Sequence, residues 1–171
     1  MSSTHTQSEN PESECTAVSS VSAAAVVVMR LSLSAWVGAA VLFVITSVAE
    51  QVFPEFTSKI RDQLATIRFP WYYATGTLCC TFALSAGIVC RSLSRRLTLA
   101  LIAAALASSV MAADYFYIYR PLQALIIPAG QPRTDQFEQL HTWSRNVNIL
   151  HLLLVLYAAI QASLPLRVRQ T

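Results

Sequence analysis

Six residues of this chain have the types and spacing to do chemistry: Glu50, Asp114, His141, Ser144, Asn148 and His151. The last four recur at intervals of three, four and three. On a helix at 100° per residue they form one polar stripe. Carboxylates, imidazoles and amides of this kind can bind a cation, relay a proton or hold a small polar ligand. Because ionisable groups in or beside a membrane span are costly, each raises a functional question. The alternative is structural, with the same groups capping helix ends and pairing with Arg120 and Arg145.

Other chemistries find less footing. The cysteines are Cys15, Cys79, Cys80 and Cys90, with no C-x-x-C pair, so neither a metal site nor a disulfide framework is expected. His141 and His151 would lie about 15 Å apart on one helix and cannot ligate the same haem iron. There is no G-x-S-x-G, no H-E-x-x-H, no phosphate loop, and only four glycines. No enzyme is expected, and no cofactor.

The elements that position these residues are apolar. The hydrophobic share of the 171 residues is 54%, the charged share 12%, and the mean hydropathy +0.49. A soluble domain carries roughly a quarter charged residues. Four runs hold no charge at all: Leu31–Ala49, Phe69–Cys90, Leu97–Ala113 and Asn146–Leu166. A helix of about 20 apolar residues crosses a hydrocarbon core of about 30 Å. The expected fold is therefore all-α, an integral membrane antiparallel four-helix bundle with spans at about 31–50, 70–90, 97–118 and 145–166. The bilayer is the expected partner. A net charge of +3 without a basic run excludes nucleic acid as one.

Around the spans, residues 1–20 are rich in Ser, Thr and Glu, contain no Lys or Arg, and read as a retained disordered tail; 21–171 form the membrane domain. Val21–Met29 extends the first helix or lies in the interface. Pro54 interrupts the chain after the first span, and 57–70 have the pattern of an amphipathic surface helix. Tyr115, Phe116, Tyr117 and Tyr119 read as an interfacial aromatic belt. Ala100, Ala104, Ser108 and Ala112 form a stripe of small side chains on the third span, suited to close packing within the chain or between copies in a homo-oligomer. Alternating spans put Glu50, Asp114 and His141 at one membrane face. The short, acid-free loop bearing Arg91, Arg95 and Arg96 lies at the other, with both termini, and favours a cytoplasmic placement in the plasma or inner membrane.

Phe53, Pro54 and Phe56 close the first span, aromatics followed by Arg120–Pro121 close the third, and Phe137, Leu140, His141, Ser144 and Asn148 open the fourth. In this succession the chain resembles, over about residues 31–166, a bacterial domain-of-unknown-function family related to eukaryotic transmembrane protein 205. The resemblance implies a four-span membrane protein with no established biochemical activity. The N-terminal tail has no counterpart in it. The expected role is a structural or interaction component of the membrane, with no ligand indicated. The alternative is an oligomeric transporter or ion-handling protein, using a polar pocket at the non-cytoplasmic face. The eukaryotic relative's association with drug resistance points the same way.

Overall fold

The structure is a computed structural model and describes residues 11–165. Among these residues it is helical, without strands: α1 is Pro11–Val52, α2 Ser58–Cys90, α3 Arg95–Asp114, α4 Arg120–Leu125 and α5 Asp135–Ser163. A 3-10 turn, Arg91–Leu93, joins α2 to α3, and a π turn, Tyr115–Tyr119, joins α3 to α4. Four continuous helical segments are long and apolar enough to cross a membrane: Ser20–Val52, Ser58–Leu93, Arg95–Leu125 and Asp135–Ser163.

Local chemistry sets the boundaries. Pro54 stops α1 two residues beyond Val52. Thr57, Ser94 and Thr134 then cap α2, α3 and α5, each accepting through its side-chain oxygen a backbone N–H of the first turn, from Ile60, Arg96 and Phe137.

Three expectations change here. Helix α1 already begins at Pro11, so 11–20 are helical where a disordered tail is expected; Val21–Met29 extend the first helix, one of the two expected placements; residues 1–10 lie outside the described residues. Residues 58–70 are not a separate surface helix but the first part of α2, which runs through Pro70 without ending. Proline forfeits one backbone bond there, and Pro70 lies on the exposed side of the helix. The aromatic run 115–119 is helical too, and Tyr119 is buried rather than spread along an interface.

Helix α1 packs on α2 and α5, and α3 on the same two. The centre is built from Met29, Leu33 and Trp36 of α1, with Leu97 of α3 and Val155 of α5. Between them lie alanines: Ala100, Ala103, Ala104 and Ala107 on α3, and Ala158 and Ala162 on α5. Small side chains let backbones approach closely. Ala100 and Ala104 are fully buried within the chain, so that half of the small-residue stripe cannot meet a second copy; Ser108 is half-buried and Ala112 exposed. Large apolar side chains point outward on all four long segments, among them Leu42, Ile45, Phe82, Leu106 and Leu153.

Gly76 of α2 lies against Trp36. A Cβ there would fall 2.6 and 2.7 Å from the indole ring and 2.8 Å from Met111 Sδ. Gly38 of α1 has nothing within 4 Å of the same position. Alanine gains about 1 kcal/mol over glycine in a helix interior, whereas overpacking costs about 1–3 kcal/mol. Gly76→Ala should therefore lower the melting temperature in detergent, and Gly38→Ala should hold or raise it. Equal shifts in the two variants would contradict this packing.

Candidate functional site

The polar residues predicted as one pocket separate into four places. Asn148, Ser144 and Asp114 lie together inside the bundle, His151 lies one turn deeper on α5, and Glu50 and His141 sit apart.

Tyr72 and Tyr73 are neighbours in α2, so their side chains diverge by about 100°. Tyr72 turns toward α1 and α5. Its ring packs against Trp36 and Phe43, with centroids 4.9 and 4.4 Å away, and its hydroxyl donates to Asn148 Oδ1 at 3.0 Å. Asn148 Nδ2 in turn donates to the Ser144 carbonyl at 3.0 Å and to Ser144 Oγ at 3.3 Å. Tyr73 turns toward α3 and donates to Asp114 Oδ2 at 2.5 Å. Its ring meets those of Tyr115 and Tyr119 at 5.0 and 4.9 Å. Asp114 is 2% exposed; Ser144 faces its carboxylate from α5, but Oδ1 accepts no hydrogen bond. The Tyr119 hydroxyl is likewise buried and unpartnered.

His151 is 1% exposed and uses both ring nitrogens. The Trp36 indole donates to Nε2 at 2.8 Å, and Nδ1 lies 3.0 Å from the Ala107 carbonyl. An indole N–H can only donate and a carbonyl can only accept. Nε2 must therefore carry the lone pair and Nδ1 the proton, which fixes a neutral imidazole in one tautomer. Three helices meet in this one side chain.

Glu50 does not reach Asp114. Its carboxylate pairs with Arg68 at 2.5 Å, and the Arg68 guanidinium lies over the Phe43 ring, 5.0 Å from its centroid. Arg120 and Arg145, the expected partners, are exposed. His141 shares the α5 stripe by spacing but is exposed, its ring stacked on Phe137 of its own helix. The reason is its place near the start of α5, where its neighbours Thr142 and Trp143 are exposed as well.

A second buried carboxylate lay outside the predicted set. Asp62 of α2 is 2% exposed and takes Arg133 Nη2 on Oδ1 at 2.5 Å and the Gly130 N–H on Oδ2 at 2.8 Å. It ties the loop before α5 to the start of α2. Gly130 adopts φ +91°, a conformation that favours glycine. Some 70 residues separate these partners in the chain, so no local spacing announces them. Trp36, Tyr72 and Tyr73 were also unmarked; the sequence signal for them is a polar tip inside an otherwise apolar run.

Between α2 and α3 a groove of about 720 Å³ opens outward, lined by Tyr73, Thr77, Thr81, Ser108, Met111 and Tyr115 among others. Cys80 borders it and is buried, and Cys90 is fully buried. Among the described residues no three His, Cys, Asp or Glu come close enough to hold a metal ion. Comparison with protein-family models, curated proteins and solved structures finds no match. What the arrangement can do rests on its own geometry: hold three helices in register, and keep one carboxyl group in an apolar interior without a cation.

Removing either partner of the Trp36–His151 bond strands the other, which costs about 1–3 kcal/mol. Trp36→Phe and His151→Ala should each lower unfolding stability in detergent by that amount. In a double-mutant cycle their effects should be coupled by more than about 0.5 kcal/mol. Strictly additive losses would show that the bond does not form.

Proposed function

We propose that the chain is an integral membrane protein, an antiparallel four-helix bundle crossing the bilayer four times, and that it serves as a structural or interaction component of that membrane. The observation carrying this reading is the inversion of polarity. Leu31, Leu42, Ile45, Leu78, Phe82 and Leu153 stand exposed, while Asp114, Ser144 and His151 are buried. A soluble monomer rarely shows apolar patches of more than a few hundred Å². In lipid the exposed apolar side chains meet hydrocarbon instead of water, and most of the interior polar groups pair with one another.

The antiparallel arrangement draws support from the cross-links. Arg30 donates to the Ala162 carbonyl and Trp36 to His151, so α5 numbering falls as α1 numbering rises. Glu50 with Arg68 and Trp36 with Gly76 run the same way between α1 and α2. Residues 91–94 and Pro165 then share one end, where Arg96 donates to the Pro165 carbonyl. The basic cluster of Arg91, Arg95 and Arg96 favours the cytoplasm for that end, in a plasma or inner membrane.

Kinship with the family related to transmembrane protein 205 belongs to the same proposal and rests on the motif succession. Tyr115–Pro121 forms the π turn and the start of α4, and Ser144 and Asn148 share one hydrogen-bond network. The role requires no reaction and no cofactor. Self-assembly, if it contributes, uses surfaces other than Ala100 and Ala104. A second reading, ion handling, is favoured by one observation: among the described residues Asp114 has no cationic partner.

The topology is testable in proteoliposomes. Ser92→Cys and Gln131→Cys, each on a background with the native cysteines replaced by alanine, should react with an impermeant maleimide from opposite sides of the bilayer. The protein should also resist alkaline carbonate extraction. Labelling of both from one side, or release by carbonate, would refute the four-span reading.

A further inference from the structure

Among the described residues three carboxylates are at least partly buried, and two are neutralised by arginine: Glu50 by Arg68 and Asp62 by Arg133. Asp114 is treated differently. It is 2% exposed, and among the described residues no Lys, Arg or His nitrogen lies within 4.0 Å of it. What faces it from each side is uncharged. Helix α2 supplies the Tyr73 phenol, with Tyr72 beside it, and α5 supplies the Ser144 hydroxyl; Tyr115 and Tyr119 of the π turn pack on the Tyr73 ring. His151, deeper on α5, has both nitrogens committed to Trp36 and Ala107 and cannot serve as its cation.

An ion in such surroundings costs several kcal/mol if it stays charged and alone. A proton removes that charge and turns one carboxyl oxygen into a donor. A metal ion is the poorer fit, since no three ligating groups converge. The groove between α2 and α3 comes within one side chain of the carboxyl, although Asp114 itself does not line it. Tyr73, its hydrogen-bond partner, lines the groove between α2 and α3, flanked there by Met111 and Tyr115.

We propose that Asp114 is a proton-binding site within the bundle, its carboxyl lying behind Tyr73, which lines the outward-facing groove between α2 and α3. Its carboxylate takes the proton from hydronium or a buffer acid of the aqueous phase, leaving water or the conjugate base, and returns it to that phase as the pH rises. The inference rests on the membrane reading, in which the groove opens to hydrocarbon and admits an apolar reagent, not the proton. It deepens the ion-handling reading by naming the ion.

Dicyclohexylcarbodiimide tests it, because this apolar reagent reaches protonated carboxyl groups within membranes. The carboxyl O–H adds across a C=N bond: the proton goes to nitrogen and the oxygen to the central carbon. The resulting O-acylisourea rearranges to a stable N-acylurea, with nothing lost. Full-length protein in phosphatidylcholine vesicles is treated across a pH series and mapped by peptide mass spectrometry, with carbonate extraction run in parallel.

The adduct should form on Asp114 severalfold faster than on Glu50 or Asp62, whose carboxylates are paired with arginine. It should decline as pH rises, since only the protonated form reacts. Ala112→Trp, which places an indole in the groove, should slow labelling severalfold, while Gly38→Trp on exposed α1 surface should not. Absence of the Asp114 adduct, an adduct indifferent to pH, or equal labelling of Glu50 and Asp62 would overturn the proton site. Unchanged labelling in Ala112→Trp would overturn the carboxyl's place behind the groove. Carbonate-releasable protein would mark failure of the membrane reading instead.

Discussion

The Trp36 indole has one proton to donate, and within the bundle it has one acceptor, His151 Nε2. The other imidazole nitrogen is committed to the Ala107 carbonyl. A buried donor or acceptor left without its partner is expensive. α1, α3 and α5 are thereby fixed at one level. α2 joins them through shape, because Gly76 leaves room for the indole and the Tyr72 ring lies against it. A rotation of any one helix would strand a donor, an acceptor or both.

The remaining polar groups are arranged around that level. Asn148 lies three residues before His151, almost one turn away, and collects the Tyr72 hydroxyl and Ser144. Tyr73, pointing the other way from Tyr72, reaches Asp114. The two carboxylates that keep arginine partners, Glu50 and Asp62, lie outside this network. They tie α1 to α2 and the loop before α5 to α2. Structural pairing and the uncompensated Asp114 are thus separated in space, so the carboxyl that stands alone is distinguished by environment rather than by residue type.

Much of this architecture is legible in the amino-acid order. Four uncharged runs report the four long segments because each run is long and apolar enough to form one membrane-crossing helix. Ser144, Asn148 and His151 are legible as one interior face from spacing alone. His141 continues the same spacing yet is exposed, because periodicity gives a direction around the helix and says nothing of where neighbouring helices end. Glu50 and Arg68, or Asp62 and Arg133, are joined by tertiary contact across many residues, and composition carries no trace of such a pairing. The start of α1 at Pro11 and the passage of α2 through Pro70 show the reverse case. There the local signals, a polar Ser/Glu-rich stretch and a proline, yield to helix continuity.

The account stands or falls on the state of the central imidazole. Selective ¹⁵N labelling of histidine, with side-chain NMR on the protein in detergent micelles or bilayers, reads that state directly. His151 should show a protonated Nδ1 and an unprotonated Nε2, with a scalar coupling from Nε2 to the Trp36 indole proton across the hydrogen bond. A protonated Nε2, in the other neutral tautomer or in imidazolium, would mean that Trp36 donates elsewhere and that the register proposed for the helices is wrong.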